Sequence, residues 1–336
     1  MKLLITGGSG FIGSNFITYW LSNHINDHII NLDVMTYAAN PLTLNFHEKK
    51  FGERYKFIKG DICNPTLVDQ LVSKVDAIVH FAAESHVDRS VSDPGSFVNT
   101  NIVGTFTLLD SARKNGNKRF HHISTDEVFG TLDLNSAERF NELTPYSPRS
   151  PYSASKAGSD HLVNAYYETY GLPITMTNCT NNYGPFNFPE KMIPLAIIRA
   201  MEDKKIPIYG SGLAVRDYLY VEDHCSAIEV VLTKGKIGEK YCVGGDSERN
   251  TIETVSTILK NLQKPQELMQ FTSDRPGHDP RYAMDHTKIT KELGWLPKYT
   301  FDQGIKMTIE WYRENENWWK PIAQKAQEVA EKYLLK

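Results

Sequence analysis

Cysteine is scarce: Cys63, Cys179, Cys225 and Cys242 are the only four in 336 residues, far apart and without C-x-x-C spacing. That argues against a disulfide framework or a zinc site and fits a reducing compartment. No apolar run approaches the roughly 18 residues that span a bilayer. Positive charge is not in excess either. The 37 Lys and Arg against 40 Asp and Glu leave a net −3, too weak a basic field for nucleic acid. Internal repeats and low-complexity segments are absent. The opening Met1-Lys2-Leu3-Leu4-Ile5-Thr6 reaches glycine too soon for a signal peptide and reads as a first strand. The expectation is a cytoplasmic protein with no nucleic-acid partner, no membrane and no metal.

What is present is enough apolar residue, 40% of the chain, for a large core. The first half alternates short β-rich runs with helical periodicity. Lys2–Thr6, His28–Asp33, Tyr55–Lys59, Ala77–Phe81 and Arg119–Ser124 read as buried parallel strands. Phe11–Asn23, Thr66–Lys74 and Phe97–Lys114 read as helices between them. Tyr152–Tyr170 is a further helix, and Ile174–Cys179 a sixth strand. This alternation predicts an α/β fold, a Rossmann-type doubly wound parallel sheet. Beyond residue 180 it weakens. Prolines 185, 189, 194 and 207 cluster there, with shorter helices over Val221–Thr233 and Ile252–Asn261. The expected division is a dinucleotide-binding domain over 1–180 and a smaller C-terminal substrate-binding lobe over 181–336, with the chain crossing between them. An amphipathic helix is expected in the tail from Trp318 to Lys336, after Pro321.

Gly7-x-x-Gly10-x-x-Gly13 follows a strand and opens a helix through Phe11 and Ile12. Glycines there permit a tight turn and close approach of a pyrophosphate to the helix N-terminus. Asp33, at the end of the second strand and twenty residues beyond Gly13, is placed to accept from an adenosine ribose diol. Its charge repels a 2′-phosphate, so NAD is expected over NADP. Asp61 and Ile62 after the third strand are placed to flank the adenine. Phe81, Ala82 and Ala83 after the fourth put small residues where the dinucleotide crosses the sheet.

Tyr152 precedes Lys156 by one helical turn, in Pro151-Tyr-Ser-Ala-Ser-Lys156. A tyrosine of pKa near 10 is a poor base at neutral pH, and a lysine on the same face favours the phenolate. Ser124-Thr125-Asp126-Glu127 closes the fifth strand. Two adjacent carboxylates are commonly a solvated loop or a helix cap. Alternatively, crowding and desolvation split their pKa values into a general acid and a general base. Simple dehydrogenation does not require such a pair; loss of water from a ketosugar does.

At these residues the chain resembles the dTDP-glucose 4,6-dehydratases of the extended short-chain dehydrogenase/reductase superfamily, over essentially its whole length. The resemblance rests on Gly7–Gly13, Asp33 with Met35-Thr36-Tyr37-Ala38, and Phe81-Ala-Ala-Glu-Ser-His-Val-Asp-Arg-Ser90. It continues through Ser124–Val128, Tyr152-x-x-x-Lys156, Asn181-Asn-Tyr-Gly-Pro185, Arg216-Asp-Tyr218 and Asp274-Arg-Pro-Gly-His-Asp279. It implies tightly held NAD, regenerated in every turnover, and a nucleotide-sugar substrate. Tyr152 would deprotonate the glucose 4-hydroxyl with Thr125 bonded to that oxygen, Glu127 would remove the C5 proton, and Asp126 would protonate the departing 6-hydroxyl. The implied cofactor contacts also include Met35, Thr36, Thr100, Lys156 and Asn182. Glu84 and Ser85 would meet the hexose and Asn181 the phosphate. Lys191, Met192, Pro207 and Tyr209 would line the nucleotide pocket. Arg216, Asn250 and Arg275 would hold diphosphate or ribose, although either arginine is also readable as a surface ion pair. His278 would orient substrate or structure and has no partner at metal-ligand spacing.

Three positions depart from the family pattern: Phe129 where tyrosine is more frequent, Asn178 where arginine is common, and Ala39 where glycine is usual. Two rivals stay open: a nucleotide-sugar 4-epimerase or decarboxylase, and a non-catalytic NAD-sensing protein. Apolar stripes on Phe97–Lys114 and Tyr152–Tyr170 fit the paired helices of a homodimer in this family, or ordinary sheet-facing surfaces.

Overall fold

The structure, a computed structural model, describes residues 1–274 and 279–323. Arg275 and His278 lie outside the described residues, as does the tail after Ala323; residues 316–323 are helical.

Six strands of the first half form as expected: β1 (Lys2–Thr6), β2 (His28–Asp33), β3 (Tyr55–Lys59), β4 (Ala77–His80), β5 (Arg119–Thr125) and β6 (Ile174–Cys179). They alternate sides. Leu3, Ile5, Ile29, Ala77 and Val79 enter one apolar layer, while Leu4, Ile30 and Ile78 enter the other, the period of two that a sheet buried on both faces requires. The first layer is closed by helices Phe11–Asn23 and Val221–Lys234, through Phe16, Ile17, Trp20, Cys225 and Ile228. Helices Pro65–Val72, Thr105–Lys114 and Pro151–Tyr170 close the second, through Val68, Leu108, Leu109 and Val163.

The later strands are β7 (Asn181–Tyr183), β8 (Ile206–Tyr209), β9 (Val215–Tyr220), β10 (Lys240–Val243), β11 (Glu248–Asn250), β12 (Met269–Thr272) and β13 (Arg281–Tyr282). The main sheet runs β10-β6-β5-β4-β1-β2-β3, every pair parallel. Its order reverses between β1 and β4, the crevice where doubly wound sheets bind ligands. The seventh strand comes from beyond residue 180 and pairs with β6. A second sheet, β11-β9-β13 with β7 on β9, and the pair β12-β8 lie apart from it. Helices Met192–Met201, Thr251–Leu262 and Phe301–Glu314 pack around them through Ile197, Ile258, Phe301 and Tyr312.

The proline-rich stretch after residue 180 holds a helix outside the expected elements, Met192–Met201. Pro194 sits in its first turn, where a missing N–H costs no intrahelical bond. The expected single helix Phe97–Lys114 is instead a short helix Pro94–Phe97, a wider π turn over Val98–Gly104, and a helix Thr105–Lys114. Such turns insert where a side chain must be re-aimed, and Asn101 inside this one reaches the site described next.

Candidate active site

The glycine turn and the loop after β4 interlock. Gly7 has φ +70°, and a Cβ there would stand 2.5 Å from the Ala82 nitrogen. At Gly13 a Cβ would meet the Gly7 carbonyl at 2.5 Å. Only glycine lets turn, helix and β4 loop close this tightly. Gly10 caps the helix Phe11–Asn23 with no side-chain hydrogen bond and no acidic residue in the first turn, so the helix end presents backbone N–H groups. Asp33 is buried; its Oδ2 accepts from the Ser9 N–H at 2.9 Å and its Oδ1 from the Met35 N–H at 2.8 Å. Burial raises its pKa and these backbone donors oppose the rise. A carboxylate with two backbone donors keeps lone pairs for a ribose diol. Met35 is held at φ 61°, a left-handed geometry unusual for its side chain and one that the Asp33 bond fixes. These residues fit a dinucleotide: a close-packed glycine cradle, an open helix end and a ribose acceptor on adjoining strands.

Beyond the cradle, Ile62 is buried with its side chain against Gly104, and the Asp61 carboxylate accepts from the Cys63 N–H at 2.8 Å. Asn101 ties the loop after β4 to the helix Pro151–Tyr170. Its Oδ1 accepts from the Glu84 N–H (2.9 Å), and its Nδ2 donates to the Glu84 carbonyl (3.0 Å) and to Ser155 Oγ (2.8 Å). Burial raises the Glu84 pKa. Ser85 is exposed beside it.

The helix Pro151–Tyr170 begins with a capping box between Ser150 and Ser153, has Pro151 at its first position and ends at a left-handed Gly171. These signals fix its start, so Tyr152 falls in the first turn and Lys156 in the next. Both are buried. Thr125, at the end of β5, donates through Oγ1 to Asp126 Oδ1 at 3.1 Å and accepts from the Glu127 N–H at 3.3 Å. It also hydrogen-bonds Tyr152. The Asp126 carboxylate, the Glu127 backbone N–H and the Tyr152 phenol thus converge on one hydroxyl.

The electrostatics single out Asp126. Asp126 is 3% exposed. Burial, and then the charge of Glu127, push its pKa up to about 7, while the Thr125 hydroxyl and the Arg216 charge pull the other way. That moves its titration toward neutrality, the range in which a carboxyl can serve as a general acid. Burial and the Glu127 charge likewise raise the Tyr152 phenol well above its ordinary 10.0. The Lys156 ammonium, pulled down by burial, donates to the Ile123 carbonyl at 2.7 Å. The lysine expected to favour the phenolate is thus anchored to β5, and burial opposes that phenolate.

Other expected contacts are spread over the second sheet. The Arg216 guanidinium lies 4.5 Å from the Tyr282 ring centroid and donates to the Val215 carbonyl at 2.8 Å. Asn250 faces Val215 across the β11–β9 pair, and its Oδ1 caps the helix Thr251–Leu262 by accepting from the Glu253 N–H. Pro207 and Tyr209 stand on β8, and Lys191 caps the helix that Met192 opens. Asn181 has a buried Oδ1 with no hydrogen-bond partner among the described residues. Asn182 is engaged by the Thr180 carbonyl and by His224. Thr100 lies in the π turn.

Behind the helix is a polar cluster that motif reading missed. Asp160, one turn after Lys156 and fully enclosed, accepts from His122 Nε2 (3.1 Å), Ser124 Oγ (2.7 Å), Tyr146 OH (2.9 Å) and Asn178 Nδ2 (3.3 Å). Asn178 also donates to the Thr125 carbonyl at 3.1 Å. Phe129 packs edge-on against Tyr146, with ring centroids 5.3 Å apart.

A family model described as GDP-mannose 4,6 dehydratase matches residues 4–308. A dTDP-glucose 4,6-dehydratase of Escherichia coli is 50% identical over 351 residues, covering 96% of this chain and 96% of the relative. Among solved structures, the dTDP-glucose 4,6-dehydratase of Streptomyces venezuelae with NAD bound superposes at TM-score 0.91 with 44% identity, covering 96% and 100% of the two chains. That of Bacillus anthracis in complex with NAD gives 0.89 and 46%, covering 96% and 99%. With the glycine cradle, the Tyr/Lys helix and the Asp-Glu pair all in place, the chain belongs to the dTDP-glucose 4,6-dehydratase family of extended short-chain dehydrogenase/reductases.

Proposed function

We propose that this chain dehydrates dTDP-glucose to dTDP-4-keto-6-deoxyglucose, a hydro-lyase reaction in deoxysugar biosynthesis. The observation that carries it is the buried Asp126, poised near pH 7 beside Glu127 and tied through Thr125 to Tyr152. Gly7–Gly13 and Asp33 would hold NAD, and its nicotinamide would supply the reversible hydride acceptor that oxidation at C4 and reduction at C6 require. Acting as a phenolate, the form that the Lys156 charge favours against burial, Tyr152 removes the O4 proton while Thr125 holds that oxygen. The 4-ketone acidifies C5–H; Glu127 removes that proton as the C6–O bond breaks, and Asp126 protonates the leaving oxygen to water. Glu127 returns its proton to C5. The proton taken from O4 replaces the one that Asp126 gives up, so C4 is oxidised, C6 is reduced, and only water leaves.

Glu84, Ser85, Asn181, Lys191, Met192, Pro207, Tyr209, Arg216 and Asn250 are assigned to the nucleotide sugar, on the smaller lobe and the loop after β4. Arg216 suits the diphosphate: its charge is already felt at Asp126, and a guanidinium fork matches phosphate oxygens. Val98, Val103 and Phe106 are large apolar side chains exposed on the helical segment after Pro94, which supports a homodimer paired there. The four cysteines are free thiols, in keeping with the cytoplasm.

The test is incubation with dTDP-glucose and no added reductant. The expected product has lost one water without net reduction of NAD. A product of unchanged mass with inverted C4 would replace this reading with an epimerase. No turnover of any nucleotide sugar would favour a binding protein.

A further inference from the structure

Lys156 must stay charged in a place that opposes charge. Its side chain is buried, and burial lowers its pKa. An ammonium enclosed in protein needs a fixed counter-charge, and the described residues offer one that no part of the reaction consumes. Asp160 lies one helical turn on from Lys156, the spacing that puts two side chains on one face. Four donors from three directions hold its carboxylate: His122 and Ser124 on β5, Asn178 on β6, and Tyr146 before the helix. An ionised carboxylate has about four lone-pair sites, so this one is saturated as an acceptor. Burial alone would raise its pKa; the His122 hydrogen bond and charge, and then the Lys156 charge and the Ser124 hydrogen bond, bring it below the ordinary value instead. It is a fixed anion rather than a proton carrier.

The cation it serves is identified by elimination. His122 touches Asp160 but is pushed down to about 4 by burial and by Lys156. At neutral pH it therefore gives Asp160 a hydrogen bond and no charge. His80, whose ring lies 5.3 Å from that of His122, is likewise held neutral by burial. Cys179 on β6 is pushed up to about 12 and stays a thiol. Lys240 on β10 also feels Asp160, but its Nζ sits over the Tyr146 ring, 4.7 Å from the centroid. Of the described cations that feel Asp160, only Lys156 stands on the same helix as Tyr152.

We propose that Asp160 is a positioning residue that keeps Lys156 protonated and, through it, sets how readily Tyr152 gives up its proton. The role rests on the dehydratase reading above. It predicts that Asp160 governs the pH range of the oxidation step without touching the sugar.

The test compares the pH profile of kcat for dTDP-glucose turnover, with saturating NAD, in wild-type and Asp160→Asn enzyme. The amide keeps the shape, and His122 can present its other tautomer to it. The expected result is a KM within about threefold, a kcat at pH 7 down roughly tenfold or more, and an alkaline limb moved at least about one pH unit lower. Thermal unfolding reports whether the variant folds. If it does not, Tyr146→Phe decides: removing one donor lets Asp160 protonate at higher pH, so the acid limb should move upward while the ring packing stays. Profiles that superpose on wild type would overturn the role of Asp160 alone. A wild type that turns over no dTDP-glucose would overturn the dehydratase reading and the role of Asp160 together.

Discussion

Replacing Asp126 by asparagine should inactivate the enzyme and stabilise it, with a pH signature that follows from burial. The folded carboxyl is raised from 3.8 to about 7, so the native chain binds this proton more tightly than the unfolded one. Below about pH 4 both states are protonated and the group contributes nothing. As pH rises toward 7, the unfolded chain releases the proton and the folded chain resists, so native stability falls; above about 7 the loss is complete. A shift of that size corresponds to roughly 4 kcal/mol at 1.36 per tenfold. Residual solvation and rearrangement around Thr125 reduce the realised value to the order of 1–3 kcal/mol. An amide imitates the protonated acid and escapes this cost. Chemical unfolding of wild type and Asp126→Asn at pH 5 and pH 8, at equal NAD, should show the variant gaining on wild type as pH rises. Elimination should fall by 10²-fold or more, as expected for loss of a general acid, while C4 oxidation survives better. A stability difference independent of pH, or a variant less stable at pH 8 than at pH 5 relative to wild type, would refute the assignment of a buried acid titrating near neutrality.

Other outcomes follow from the same geometry. Tyr152→Phe should lower kcat roughly 10²- to 10⁴-fold with little change in KM, measured by steady-state turnover. Asp33→Asn should weaken NAD roughly 10- to 100-fold and narrow the preference over NADP, measured by titration of cofactor-stripped protein. Gly7→Ala must place a Cβ 2.5 Å from the Ala82 nitrogen at φ +70°. It should cost about 1–3 kcal/mol or more and loosen NAD, read by thermal melting with and without cofactor. Asn101→Ala should free the Glu84 loop and raise KM for dTDP-glucose several-fold, with NAD binding unchanged.

The sheet was legible because its strands are short apolar runs bounded by turns, and β1, β2, β3 and β6 begin and end where the pattern places them. The seventh strand was not, because Lys240-Tyr-Cys-Val243 is too short and mixed to stand out from the loops around it. The π turn was invisible for another reason: Val98–Gly104 keeps the apolar spacing of a helix, and only the need of Asn101 to reach Glu84 and Ser155 widens it. Thr125, Asp126, Glu127, Tyr152 and Lys156 could be read from the sequence because each lies in a local motif. Asp160 and His122 belong to no motif. The signal was still present, since His121 and His122 fall in a strand read as buried, and a buried imidazole needs a partner. Lys156 and Asp160 stand four apart on one helix. What sequence does not carry is which strand faces which helix. Asn178, where arginine is common in the family, is in the structure a donor to both Asp160 and the Thr125 carbonyl.

The central claim is an internal redox cycle in which the hydride lost at C4 returns to C6 of the same sugar. The most direct test is single-turnover conversion of dTDP-glucose carrying deuterium at C4, with product analysis by mass and by NMR of the methyl group. The prediction is a product lighter by one water with the deuterium in the C6 methyl. Deuterium at C4 of an unchanged-mass sugar, or its loss to the medium, would contradict the account.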